Sequence, residues 1–307
     1  MELSAVRVGT QIPTSVSGTV WSIHNHAVNI ELPPAGRFET AVLLSVVDTD
    51  PAMNALSVQV ERLPTGLSIG SRVAVRLRPS RSGAAGRDEL EIATRGAQQF
   101  DGTFSQISFG WLSDERQGLI AELSETLRAK GAPGGMQEIL VDDLPAREPA
   151  QANPGRSAAS EPHLERAAAT LERWDGDVET LCDVLGSLIG LGPGMTPAGD
   201  DFVCGVLMAA QITGAQVATA PLAARLSATT VPGATVLWLA LRRSFAAYLI
   251  SPLAGLALGR GEPHQAAESI LAHGATSGSD SLAGLVWGLN RFSIQIDDER
   301  SPGATLA

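Results

Sequence analysis

The hydrophobic period of this chain changes partway along, and no single regular element accommodates both periods. Leu56, Val58 and Val60 alternate with Ser57, Gln59 and Glu61. Val73, Val75 and Leu77 do the same, as do Val28, Ile30 and Leu32. A period of two puts one side of each run on a core. Val16 and Val20 form a weaker run, because Gly18 takes the same-face position between them. Turn formers separate the runs: Pro33-Pro34, Asp50-Pro51, Pro64-Thr65-Gly66 and Ser82-Gly83. Short strands at this spacing predict a small β-barrel or sandwich. From about Asp114 the period is helical. Leu119, Leu123 and Leu127 mark one helix, and Leu164, Ala167, Ala168 and Leu171 a second. Val178, Leu181, Cys182, Leu185, Leu188 and Ile189 form a complete amphipathic stripe, and Gly190 follows where a left-handed C-cap belongs. Further helices are expected near 202–212, 234–250, 262–272 and 280–290. The fold class is therefore α+β: a β-rich domain over 1–112, then a mostly α-helical domain over 113–307. Residues 145–162, rich in Pro, Ala, Ser and Gly, read as a loop or linker, and the last ten residues as a loose tail.

Composition narrows the function. A net charge of −11 repels nucleic acid and anionic membrane. Apolar residues make up 44 % and charged residues 18 %, enough for a substantial core. Cys182 and Cys204 both lie on apolar helical stripes, as expected of reduced, buried thiols. Segment 237–258 is apolar, but Arg242, Arg243 and Pro252 interrupt it, which fits a buried helix rather than a membrane span. The start, Met1-Glu2-Leu3-Ser4, has no basic stretch followed by an apolar run. A cytoplasmic protein is expected, and a homo-oligomer is compatible with the sequence.

Polar chemistry concentrates in two loops. The first runs Gly190-Leu191-Gly192-Pro193-Gly194-Met195-Thr196-Pro197-Ala198-Gly199-Asp200-Asp201. Thr196 is placed as an N-cap and Pro197 as the first helical residue. Gly192, Gly194 and Gly199 allow tight turns and expose backbone N–H groups, and a helix start behind them suits an anion such as phosphate or carboxylate. The Walker pattern is absent, since no Lys-Ser/Thr pair follows the glycines. Asp200 and Asp201 have an ordinary reading, as first-turn acids gaining ~0.3–1 kcal/mol from the helix dipole. Two adjacent acids behind a Gly-rich loop also suit Mg²⁺ coordination, substrate hydrogen bonding or base catalysis.

The second loop repeats the first. Gly199-Asp200-Asp201-Phe202-Val203-Cys204-Gly205-Val206 overlays Gly278-Ser279-Asp280-Ser281-Leu282-Ala283-Gly284-Leu285 as Gly-x-Asp-x-x-x-Gly plus an apolar residue. Thr276 and Ser277 precede it. Two equivalent helix N-termini facing one pocket are expected, against the plainer alternative of two capped helices packed through glycine. Asp200, Asp201, Asp280 and His273 are the candidate catalytic groups. Gly192, Gly194, Thr196, Gly199, Thr276, Ser277 and Gly278 are candidate substrate-binding groups. Arg242 and Arg243 are the candidate charge complement. His24-Asn25-His26 puts two rings on one strand face without a nearby third ligand, a weak metal signal.

These runs, Gly-Pro-Gly-Met-Thr-Pro-Ala-Gly-Asp-Asp-Phe and His-Gly-Ala-Thr-Ser-Gly-Ser-Asp-Ser-Leu-Ala-Gly, resemble the two signature stretches of the AllH-type family. The segment Trp21-Ser22-Ile23-His24-Asn25-His26-Ala27-Val28-Asn29 is similar to that family's N-terminal part. The resemblance implies a subunit of oxamate carbamoyltransferase in purine and allantoin breakdown, working beside FdrA-like and other transferase subunits. Such an enzyme interconverts oxalurate plus phosphate with oxamate plus carbamoyl phosphate. Three readings stay open: a carbamoyltransferase subunit acting on small anionic ureido or amide compounds, a self-sufficient metal-dependent hydrolase or lyase, and a non-catalytic ligand-binding or scaffold subunit.

Overall fold

The computed structural model describes residues 1–80, 86, 88–104, 112–140, 162–172, 174 and 176–299. The chain divides into two compact units, residues 1–103 with 234–251, and residues 104–233 with 252–307.

The first unit is built on eight strands: β1 (Glu2–Gly9), β2 (Ser15–Ile23), β3 (Ala27–Leu32), β4 (Val42–Val47), β5 (Ser57–Val60), β6 (Arg72–Arg78), β7 (Glu89–Ala93) and β8 (Gln98–Phe100). Their order is β5-β4-β3-β2-β6-β7-β1, and antiparallel pairing of β1 with β5 closes seven strands into a barrel. β8 extends β1 in parallel. Val28, Ile30 and Leu32 point inward, as their alternation predicts, and are at most 1 % exposed. Removing each from water contributes roughly 1.5–3 kcal/mol. Gly18 belongs to β2 for a steric reason, because a Cβ there would lie 2.4 Å from the Glu31 carbonyl oxygen. β4 escapes the alternation rule. Val42, Leu43, Leu44, Val46 and Val47 are all buried, so both faces of this strand are covered.

A helical excursion supplies that cover. α7 (Val231–Ala240) and α8 (Ala247–Ala257) replace the one helix expected over 234–250. Between them Arg243 adopts φ +60°, the Arg243 N–H bonds the Ala240 carbonyl, and the Ser244 N–H bonds the Leu239 carbonyl. This is a Schellman ending with arginine where glycine is usual. Thr235 Oγ1 accepts the Leu43 N–H at 2.8 Å, and Trp238 is fully buried against Phe38.

The second unit holds α1 (Leu112–Lys130), α2 (Gln137–Leu140), α3 (Pro162–Leu171), α4 (Val178–Leu188), α5 (Ala198–Thr213), α6 (Thr219–Ala223), a 3-10 turn (Leu226–Ala228), α9 (Pro263–Leu271) and α10 (Ser277–Glu299). The stripes of α1 and α4 are buried through Leu119, Leu123, Leu127, Leu181, Leu185 and Leu188. Gly190 caps α4 at φ +77°, as expected. Cys182 and Cys204 are buried and unpaired with each other. Among the described residues no helix is long and apolar enough to cross a membrane. α10 runs to Glu299, well beyond the expected 280–290 and into the segment expected to be loose. The rest of that tail, and most of the expected linker over 145–162, lie outside the described residues.

α5 and α10 form the centre of this unit. A Cβ on Gly205 would lie 2.0 Å from the Ser281 carbonyl oxygen, and one on Gly284 would lie 2.0 Å from that of Phe202. The two contacts exchange under the sequence repeat, since Gly205 matches Gly284 and Phe202 matches Ser281. The helices therefore cross about a local pseudo-two-fold, backbone against backbone. Gly199 and Gly278 obey the same relation, set against the Leu188 carbonyl at the end of α4 and the Ile270 carbonyl near the end of α9. Two helix–loop–helix halves, α4–α5 and α9–α10, are thus matched.

Candidate functional site at two helix starts

The first loop is tightly folded. Gly192 and Gly194 have φ of +108° and +105°, and the Gly199 N–H closes the loop on the Leu191 carbonyl at 2.8 Å. Gly194 is exposed, Gly192 and Thr196 are half-buried and Gly199 is buried. The helix starts one residue later than expected. Pro197 is the N-cap at φ −55°, ψ 143°, and Ala198 is the first helical residue. The Asp200 and Asp201 N–H groups both bond the Pro197 carbonyl, and no side chain caps the helix. Thr196 is not the N-cap because Pro197 is itself extended, at ψ 143°, and the Pro197 carbonyl accepts the first helical bonds. The Thr230 hydroxyl donates to the Met195 carbonyl and pins the loop tip.

Asp200 is fully buried. Its Oδ1 accepts the Gly190 N–H at 2.7 Å and its Oδ2 accepts the Thr229 hydroxyl. Gly233 packs on this carboxylate so closely that a Cβ would lie 2.0 Å from Oδ2. Burial raises the Asp200 pKa to about 6, against the pull of Thr229 and Gly190. Asp200 acts as a strut that ties the loop to the segment leading into α7.

Asp201 is 2 % exposed, and its Oδ2 has no hydrogen-bond partner. Burial holds its pKa well above the ordinary value; the Ser277 hydroxyl favours the charged form, while the charges of Asp280 and Asp200 oppose it. Asp280 is fully buried and its Oδ2 is likewise unpartnered, while Oδ1 accepts the Met136 N–H at 2.6 Å. Burial raises the Asp280 pKa to about 6, against Met136 and the Thr276 hydroxyl. Asp201, Asp280, Thr276 and Ser277 therefore come together at the starts of α5 and α10. Thr276 and Ser277 are half-buried and Gly278 is buried.

His273 lies just before α10. Its carbonyl accepts the Gly278 N–H at 3.0 Å, and burial lowers the pKa of its imidazole. His24 and His26 do not converge: His24 Nε2 meets Ser22 Oγ at 2.9 Å, and His26 Nδ1 meets Asp48 Oδ1 at 3.0 Å. Among the described residues no group of three or more His, Cys, Asp or Glu is arranged to hold a metal ion. Arg242 belongs to the barrel unit, where it pairs with Glu39 and stacks over Trp238 at 3.8 Å. Arg243, in the same unit, is exposed.

One contributor has no counterpart in the sequence reading. Residues 131–136 form a third glycine-rich loop, whose Ala132 N–H donates to Ser279 Oγ at 2.9 Å and whose Met136 N–H holds Asp280. Gly135 is required there, because a Cβ would lie 2.2 Å from Asp280 Oδ1. The signal that would have found it is internal: Ala132-Pro133-Gly134-Gly135-Met136 echoes Gly192-Pro193-Gly194-Met195. Arg166, on α3, lies elsewhere. With Ala169, Thr170, Ser187 and Leu191 it lines an open cleft of about 450 Å³ beside the first loop.

No curated protein and no solved structure matches the chain. Residues 188–289, from the end of α4 into α10, match the family model described as oxamate carbamoyltransferase subunit AllH. That segment contains both Gly/Asp loops, so the similarity to AllH covers α5 and the start of α10.

Proposed function

We propose that the chain is a subunit of a carbamoyltransferase of the oxamate type, and that it binds a small anionic carbamoyl or ureido compound at the starts of α5 and α10. The observation that carries this reading is the pair Asp201 and Asp280, buried at equivalent helix starts with one unpartnered oxygen each, inside the segment that matches AllH. Buried polar atoms are nearly always bonded, so two bare carboxylate oxygens mark a place where a donor belongs. Ligand N–H groups are such donors. The positive end of the helix dipole at each start favours the phosphate or carboxylate of the same ligand. Arg166 supplies positive charge beside the first loop, in place of Arg242 and Arg243. During carbamoyl transfer, the two helix-start dipoles would stabilise charge developing on the carbamoyl oxygen. Other transferase subunits, FdrA-like ones among them, complete the assembly.

A non-catalytic ligand-binding subunit is the second reading. It draws on Asp200, whose two oxygens are both engaged inside the fold. Thermal shift of the full chain tests the ligand claim, with carbamoyl phosphate, oxamate, oxalurate, phosphate and Mg²⁺ as probes. A ligand at about a hundred times its Kd stabilises by ~2.7 kcal/mol. A shift with a carbamoyl or ureido compound, lost in both Asp201→Asn and Asp280→Asn, is expected. Shifts that survive both substitutions place the ligand elsewhere. A shift with Mg²⁺ alone turns the reading to a metal-dependent hydrolase.

A further inference from the structure

Asp201 and Asp280 are anchored on one side only. Met136 holds Oδ1 of Asp280 and Ser277 bonds Asp201, while both Oδ2 atoms lie dry and unpartnered. The groups that act on Asp201 are Ser277, Asp280 and Asp200, and none is a cation. Of the neighbouring titratable groups, Asp200 is engaged by Gly190 and Thr229, and burial keeps the Cys204 thiol neutral. Burial lowers the pKa of the imidazole of His273, which precedes α10, and so favours its neutral form. Two buried carboxylates at paired helix starts, each with an unpartnered oxygen and with no cation among the groups acting on Asp201, do not both ionise.

We propose that Asp201 and Asp280 hold one proton between them and that this pair, given the ligand reading above, meets the nitrogen of the carbamoyl or ureido group as donor and acceptor together. The pseudo-two-fold matters here, since equivalent positions present one bare oxygen each. When phosphate attacks the ureido carbon, a new C–O bond forms. The C–N bond breaks with its electron pair passing to nitrogen, and the nitrogen takes the proton of the pair. The hydrogen that the attacking hydrogen phosphate gives up restores it. In the reverse direction the pair accepts the proton as nitrogen attacks the carbamoyl carbon and phosphate leaves. The titration of such a pair belongs to both residues rather than to either.

Infrared difference spectroscopy of the full chain tests this, because a protonated carboxyl has its own carbonyl stretch. At neutral pH one buried protonated carboxyl is expected. Asp280→Asn should shift its titration downward by removing the neighbouring charge, and Asp201→Asn should remove the coupling. Saturating oxamate should perturb the band. Two ionised aspartates at neutral pH would overturn the proposal, and wild-type protein alone settles that point. An unperturbed band while oxamate still raises Tm overturns the role at nitrogen but leaves the ligand reading standing. A protonated pair with no oxamate binding supports the shared proton and overturns the ligand reading.

Discussion

The starts of α5 and α10 are the same design with one difference. At the first position α5 carries Asp200 and α10 carries Ser279, yet each closes a glycine-rich loop by accepting one backbone N–H, from Gly190 and from Ala132. At the second position both helices carry aspartate, and there both leave an oxygen bare. Where the task is to accept an N–H, a carboxylate or a hydroxyl suffices. Where only aspartate appears, the local hydrogen bonds do not account for it. The comparison separates a structural acid, Asp200, from the acids assigned to the ligand, Asp201 and Asp280.

The largest effect tests whether the halves are equivalent at all. Gly205→Ala and Gly284→Ala each drive a Cβ to 2.0 Å from a backbone carbonyl of the other helix. A backbone cannot step aside as a side chain can, so each should cost about 3 kcal/mol or more in urea unfolding. Gly118→Ala is the contrast, because that exposed glycine in α1 has nothing within 4 Å of the added carbon. It should gain up to ~1 kcal/mol. A large loss at Gly205 beside tolerance at Gly284 would break the pseudo-two-fold.

The next effect is pH dependence. Asp200 and Asp280 are raised to about 6, and burial raises Asp201 well above the usual carboxylate range. The folded state therefore binds more protons than the unfolded chain, whose aspartates titrate near about 4. Stability must then fall as pH rises from about 4 through the folded pKa values, by about 3 kcal/mol for each of the two groups near 6. Thermal unfolding across that range checks the sign, and Asp201→Asn and Asp280→Asn should each flatten the slope. Rising stability over the same range would mean that these carboxylates are ionised and well served in the fold.

Why the sequence showed this comparison only in part is a matter of range. The repeat, the Gly190 cap and the inward faces of β3 and β6 all depend on residues a few positions apart, so periodicity and turn chemistry reveal them. The third loop is different: Met136 reaches Asp280 across 144 residues and Ala132 reaches Ser279 across 147. No local pattern reports such a pairing. The break between α7 and α8 stayed hidden because Arg243 holds a left-handed conformation usually given to glycine. β4 lacks alternation because both of its faces are buried, and Thr235 reaches its Leu43 N–H from 192 residues away. Thr196 was misplaced as the cap by a single residue, since both Thr196 and Pro197 carry helix-start signals.

A smaller effect probes the strut. Asp200→Ala removes the acceptor of the Gly190 N–H and of the Thr229 hydroxyl, leaving two donors unmatched in a buried place. A loss of about 1–3 kcal/mol is expected. Ser279→Ala frees only the Ala132 N–H and should cost ~1 kcal/mol. A reversed order would mean that the cost of burying the Asp200 charge outweighs its two hydrogen bonds.

The smallest effect is the sharpest for the contrast between the two acids. Asp200→Asn keeps an oxygen for the Gly190 N–H, and its new amide can donate to the Thr229 hydroxyl, which accepts as readily as it donates. Shape and bonds are kept while the charge is lost. Near pH 5 the aspartate is largely protonated, given its pKa of about 6, so the variant should differ from wild type by less than about 0.5 kcal/mol. Near pH 8 the wild type carries a buried charge that the variant lacks, and Asp200→Asn should become the more stable of the two. Unfolding curves at both pH values decide it. If the variant is weaker than wild type at both, the Asp200 charge itself is needed, and the strut is not interchangeable with a neutral group such as Ser279. If the curves cross as expected, Asp200 is a hydrogen-bonding post whose charge is incidental, and the demand for aspartate rests with Asp201 and Asp280.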